Sequence, residues 1–304
     1  MRILDRKLLR DLWHMRGQSL AIALVIASGI ATLIMAVSTL ESLQQTRSRY
    51  YAEQRFADVF ASLVRAPESV KERLDAIEDL QTVETRIVVS LHIEIDGYDE
   101  PISGRILSLP DEGPPLLNGV HWVRGGPPDP LEDDEVGLSE SFANAHGLQP
   151  GDRLTAVLHG RRQQLEVTGI ALSPEYIYQI PPGATIPDDK AFGIVWMRRR
   201  ALQNAYDLEG AFNDVTATLA RGGSEGRALE SIDAVLEPYG GLGAYAREDQ
   251  VSHRFLSEEF RQLEQMATLF PAIFLSVAAF LLNVVVTRLV ATQREQIAAL
   301  KAFG

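Results

Sequence analysis

From Gly17 to Leu40 the chain runs 24 residues without a charged side chain, and from Gln265 to Thr287 it does so again over 23 residues. Coiled as an α-helix, 24 residues extend roughly 36 Å at 1.5 Å each, enough to cross a hydrocarbon core of about 30 Å. Two membrane-spanning helices are therefore expected, centred on residues 20–40 and 266–287. Ala36-Val37-Ser38 would pass as a signal cleavage site, but the apolar run exceeds the roughly 7 to 15 residues of a signal core, and a second run of equal quality follows. Pro271 is placed in the first turn of the second span, where a missing N–H costs little.

Lys and Arg in the short flanks set the orientation. Arg2, Arg6, Lys7, Arg10 and Arg16 precede the first stretch, and Arg288, Arg294 and Lys301 follow the second. Both ends are thus expected on the cytoplasmic side. Between them, Glu41 to Thr268 holds 21 bases against 38 acids, a net of −17, and this block is expected outside the cytoplasm. A whole-chain charge of −12 without a basic stripe argues against nucleic-acid binding, which needs cations to displace phosphate counterions. The absence of Cys excludes disulfides and thiolate metal sites and leaves the compartment to be read from topology.

Residues 1–19 are expected to form an amphipathic cytoplasmic helix, 41–265 an α+β extracytoplasmic domain with helical stalks, and 288–304 a cytoplasmic helix. In the first span Ala23, Ala27 and Ala31 recur every fourth residue, a smooth flank against which another helix can pack closely. Leu256, Phe260, Leu263 and Ala267 make an apolar stripe on the returning stalk, facing the extension of the first helix to about Arg55. Strands are expected near Phe56–Val64 and over Thr82–Ile95, which turns at Asp96-Gly97 into a strand around Ile102–Leu109. A helix is expected over Glu68–Leu80 and another over Ser139–His146, entered from Glu135–Leu138 and ended by Gly147. Leu154–Leu158 and Gln164–Ile170 should pair across His159-Gly160. Pro174–Lys190 reads as an irregular excursion, followed by strands near Phe192–Met197 and Phe212–Leu219 and a helix near Ser224–Leu236.

Little in this pattern suggests catalysis. No phosphate-binding loop and no Gly-Lys dipeptide occur, so ATP hydrolysis by this chain is not expected. The six His residues include no pair at metal-binding spacing on an expected helix. In "GLSES", Gly137 to Ser141, Ser lacks the closing Gly of a nucleophile elbow and reads instead as a helix cap.

The segment "REQIAALKAFG", Arg294 to Gly304, resembles the stretch after the second helix in MacB/FtsX-type ABC transporter permeases. The entrance "LDRKLLRDLWHMRGQSLAIALVIASG" and the central "VGLSESFANAHGLQPGDRLTAVLHGRRQQLEVTGI" are similar to that family as well. The resemblance implies a MacB-like periplasmic domain with two subdomains between the spans. It implies a permease subunit of the bacterial inner membrane that dimerises and couples to a separate ABC ATPase, with ATP and Mg bound there and no cofactor here. Arg294, Glu295, Ile297, Leu300, Lys301 and Gly304 would then form the coupling helix. An envelope adaptor is an expected partner. The family has at least four spans, so further spans are expected beyond Gly304. A membrane-bound sensor with an extracytoplasmic ligand-binding domain shares the same layout and is the alternative.

Overall fold

The computed structural model describes residues 10, 13, 16–95, 97–292, 294 and 298. In chain order it contains α1 (Arg16–Glu53), β1 (Val59–Pro67), α2 (Val70–Asp75), β2 (Leu80–Arg86), β3 (Val88–Ile95), β4 (Tyr98–Leu109), β5 (His121–Gly125) and β6 (Glu135–Ser139). Then come α3 (Glu140–His146), β7 (Arg153–Leu158), β8 (Arg161–Leu172), β9 (Phe192–Arg198), α4 (Arg199–Tyr206), β10 (Ala211–Leu219), α5 (Glu225–Leu236), β11 (Gly241–Ala246) and α6 (Val251–Thr292). Two compact units result, Met1–Thr46 with Glu258–Gly304, and Arg47–Ser257.

The first unit holds the apolar stretches of α1 and α6, each long and apolar enough to cross a membrane. Only 6% and 11% of their most apolar windows is buried within the chain, whereas a soluble core helix would be covered on all sides. The two helices approach at Gly29 of α1, beside Phe274 and Leu275 of α6, and Ile22, Ala267, Pro271 and Ala278 are buried. A Cβ built on Gly29 would stand 3.3 Å from Phe274 Cβ, so the glycine permits the close approach. Ala23, Ala27 and Ala31 are exposed, and the small-residue flank is therefore not the face that meets α6. The reason is periodicity: the buried and half-buried positions 22, 25, 26, 29, 32, 33 and 36 trace a different side of the same helix. Pro271 lies deep inside α6 and not in a first turn, because the helix has already begun at Val251. Its missing N–H leaves a backbone carbonyl one turn earlier without its usual donor.

The second unit is α+β and contains two sheets. The smaller has the order β11-β1-β10-β2, all antiparallel, with α2 and α5 supplying Val70, Leu74, Ala228, Ile232 and Leu236 to its core. Ser224 caps α5, its hydroxyl accepting from Arg227 N.

The larger sheet has the order β5-β8-β6-β9-β4-β3-β7, and β7 also pairs with β8, so six of its strands close into a ring with β5 attached outside. β8 makes this possible by its length: Arg161–Glu166 pairs with β7 and Glu166–Ala171 with β6. Ile93, Ile106, Leu138, Ala156, Leu165, Ile170 and Val195 share its core with Phe142 of α3 and Leu202 of α4. Burying each such large side chain contributes roughly 1.5–3 kcal/mol. Gly137 and Gly169 leave room for the Trp122 indole, since a Cβ on either would fall within 2.6 Å of that ring.

The expected hairpins form, with Ile95 opposite Tyr98 and Leu158 opposite Arg161. The single strand expected over Thr82–Ile95 is in fact two, because the chain leaves the small sheet at Arg86 and enters the ring at Val88. Glu135–Ser139 is strand β6 and not a helix entrance, paired on both sides by β8 and β9. The helix over Glu68–Leu80 shrinks to Val70–Asp75, as Leu80 is taken into β2.

Candidate functional site

Where α1 ends and α6 begins, a group of residues belonging wholly to the second unit joins several of its elements. α1 closes with Phe56 N donating to Tyr51 O at 2.9 Å and Arg55 N to Ala52 O at 3.2 Å. This paired closure puts Arg55 in the left-handed region at φ 48°, a position that ordinarily takes Gly. The chain then turns back so that Tyr51, Phe56, Ala57, Phe60 and Leu117 form an apolar cluster, with Leu256 of α6 packed on it.

Across this cluster the two helix roots are bonded to each other. Tyr51 Oη and His253 Nδ1 are 3.1 Å apart, and His253 Nε2 is 3.3 Å from Ser257 Oγ. Burial, reinforced by Arg47 and Arg247, holds the His253 pKa below its ordinary value, which favours the neutral ring. One ring nitrogen then donates and the other accepts. Burial likewise raises the Tyr51 phenol, keeping it a neutral O–H. Arg247 closes the site from the side. Its Nε donates to Ala57 O at 2.8 Å, its Nη2 to Phe56 O and Asp58 Oδ1 at 2.5 Å each, and its guanidinium lies 5.0 Å from the Phe56 ring centre.

Beneath the roots lies a buried polar hub centred on Glu175, in the 3₁₀ turn Pro174–Tyr176. Arg86 Nη1 and Nη2 donate to the two Glu175 carboxylate oxygens at 2.6 and 2.9 Å, and Arg86 Nε donates to Asp214 Oδ1 at 2.7 Å. Ser62 Oγ donates to the other Asp214 oxygen at 3.1 Å. Asn118 Nδ2 donates to Glu175 at 2.8 Å while its Oδ1 accepts from Ala57 N at 2.8 Å. Gln250 completes the circuit, giving Nε2 to Glu175 O and accepting from His253 N through Oε1, both at 2.7 Å.

The hub thus ties the end of β2, the middle of β10, the turn after β8, the start of β1 and the first turn of α6. Desolvation opposes charge on Arg86, but Asp214 and Glu175 outweigh it and its pKa lies well above the arginine value. Burial pushes the Asp214 carboxyl up, with Arg86 pulling against it. Every partner is satisfied inside the protein, so the arrangement holds elements in register and offers no group poised for chemistry.

Of the residues singled out from sequence, Leu256 sits in this cluster and Ala267 is buried in the helical unit. Phe260 is half-buried, whereas Leu263 is exposed, so the stalk stripe is broken at that position. Arg294 is helical and exposed. Glu295, Ile297, Leu300, Lys301 and Gly304 lie outside the described residues, as do residues 1–9 of the amino-terminal helix. Ser139 occupies the N-cap position of α3 without capping it: its hydroxyl instead bonds Gln179 Oε1 at 3.0 Å and accepts from Ile194 N at 3.3 Å. The hub residues were not apparent from sequence, since Arg86, Glu175 and Asp214 are separated by 89 and 128 positions from Arg86. A local sign is the charged Arg86 directly before the apolar run Ile87-Val88-Val89.

No protein-family profile matches the chain, and no curated protein does. Among solved structures, the chain is similar to the extracellular domain of the noncanonic ABC-type transporter YknZ from Gram-positive bacteria, at 11% identity, over 62% of this chain and 98% of that one, with a TM-score of 0.39. It is similar too to the periplasmic region of MacB from Actinobacillus actinomycetemcomitans, at 9% identity, over 69% of this chain and 95% of that one, again with a TM-score of 0.39.

Proposed function

We propose that this chain is the permease part of an ABC transporter complex of the bacterial inner membrane, in which a separate ATPase drives export or mechanical work in the envelope. The observation that carries this reading is the rooting of both long helices at one point of the outer unit, through Tyr51 and His253 and the hub below them. A displacement of either root is felt at once by β1, β2, β10 and the turn after β8, which is what transmission by a rigid body requires. The residues at Arg294–Gly304 support the same reading through their resemblance to the coupling segment of MacB/FtsX-type permeases. In this role the chain carries no nucleotide. ATP and Mg belong to the ATPase, a second permease copy or half completes the membrane part, and an envelope adaptor meets the outer unit.

Two discrete arrangements of the outer units are needed, one favoured when the ATPase closes on ATP. Ile297→Asp and Leu300→Asp in the full-length complex, reconstituted with its ATPase, test this. Loss of permease-stimulated ATP hydrolysis with complex assembly retained is the expected outcome. Stimulation at the unaltered level in both variants would refute the transmission role.

A further inference from the structure

A cleft of about 760 Å³ opens beside the helix roots, bounded by the last turns of α1, the ends of β2 and β10 and the loop before β5. Its charged lining is Arg47, Arg55, Arg247 and a single carboxylate, Asp58. The block around it carries 38 acids against 21 bases. Cations so concentrated in one concavity of an acidic surface produce a local field that draws in anions. The rest of the lining divides between apolar walls, from Phe56, Leu116, Leu117 and Leu219, and uncharged polar groups, Gln81, Thr82 and Thr218. The volume is that of a small-molecule site, and the composition suits a ligand with an anionic end and an apolar body.

A second observation is independent of charge. Arg55 stands at φ 48° in the closing position of α1, where Gly is the residue that fits without a Cβ penalty. An arginine there costs about 1 kcal/mol against the backbone's preference. Its Nη2 donates to Pro115 O at 2.9 Å, which uses one of the five guanidinium N–H groups and holds the side chain at the cleft. Arg247 likewise uses Nε and Nη2 within the protein, and the Nη1 pair takes no part in those bonds. Planar guanidinium groups are suited to oxyanions, which they bind through paired N–H···O bonds.

We propose that this cleft binds a small amphipathic oxyanion, a carboxylate or phosphate head carried on a short apolar body. The head sits among Arg55, Arg47 and Arg247, and the body lies on Leu116, Leu117 and Leu219. The inference goes beyond the permease reading and does not depend on it.

Calorimetric titration of the full chain, held in nanodiscs of zwitterionic phosphatidylcholine, tests it with four probes: hexyl phosphate, hexanoate, inorganic phosphate and hexanol. At least one of the two amphiphilic anions is expected to bind about tenfold more tightly than both inorganic phosphate and hexanol. Arg55→Gly and Arg55→Asn, both compatible with the left-handed backbone, are expected to weaken that binding about tenfold without lowering the melting temperature. The inference is overturned if neither anion saturates the wild type, if hexanol or inorganic phosphate binds as tightly, or if both variants bind as the wild type does. A lower melting temperature for Arg55→Gly would remove the backbone argument and overturn it too.

Discussion

Arg86→Met leaves a side chain of comparable length in the hub but removes three charge-assisted hydrogen bonds, two to Glu175 and one to Asp214, at 2.6 to 2.9 Å. Both carboxylates are nearly inaccessible, at 5% and 8% exposure, so water cannot take the place of the guanidinium. Removing one partner of a buried ion pair typically costs about 3–5 kcal/mol, most of it from the charge left behind. At roughly 2–4 °C per kcal/mol for a domain of this size, the melting temperature should fall by about 10 °C at pH 7. The deficit should also depend on pH. Burial already raises the Asp214 pKa, and without Arg86 only the Ser62 hydroxyl opposes that rise. The cost is therefore greatest above the raised folded pKa of Asp214, where the carboxylate is charged, and diminishes as falling pH carries the group through that pKa. Thermal melts of wild type and variant at pH 7 and pH 5, with Arg86→Lys as a charge-preserving control that cannot form the two-pronged bond, measure both effects. A shift below about 3 °C at pH 7, or an equal deficit at both pH values, would refute the view that the hub is an ionic lock.

The helix-root bond should give the wild type an acid sensitivity of opposite sign to that deficit. The His253 pKa is depressed below its reference of 6.5, so its contribution is constant above that value, and stability falls as pH drops through 6.5 toward the folded pKa; His253→Gln should flatten this slope in melts between pH 7.5 and 5. Gly137→Ala places a Cβ 2.5 Å from Trp122 Cη2 and should cost about 2 kcal/mol while shifting tryptophan fluorescence. Trp122→Ala in the same chain should then render Gly137→Ala nearly neutral, and a double-mutant cycle showing strict additivity would contradict the contact.

What could be read from the sequence divides along the range of the interactions. Uncharged runs, turn dipeptides and capping residues act within a few positions, so the apolar stretches of the end helices, the hairpin at Gly97, the hairpin at Gly160 and helix α5 lie close to where their side chains indicate. The break between β2 and β3 is invisible because Thr85, Ile87 and Val88 have the same β propensity on either side of it, and what separates them is membership of different sheets. β11, with two glycines among its six residues, has no strand signature and forms through its pairing with β1. In the first span Gly29, next to the Ala23, Ala27 and Ala31 flank, is where α6 approaches, while those three alanines stay exposed in this chain. The candidate site was hidden for a similar reason: Asn118, Glu175 and Gln250 look like ordinary loop residues until the fold brings Asn118 within 2.8 Å and Gln250 within 2.7 Å of Glu175.

The bond between Tyr51 and His253 means that the polypeptide enters and leaves its second unit through one doorway. Everything between them is, in topological terms, a single long insertion whose ends are already joined. Insertions of this kind are tolerated where the two ends of the inserted segment lie close together. The second unit is in this sense a self-contained insert, and two chains sharing the same pair of helices are free to carry quite different inserts.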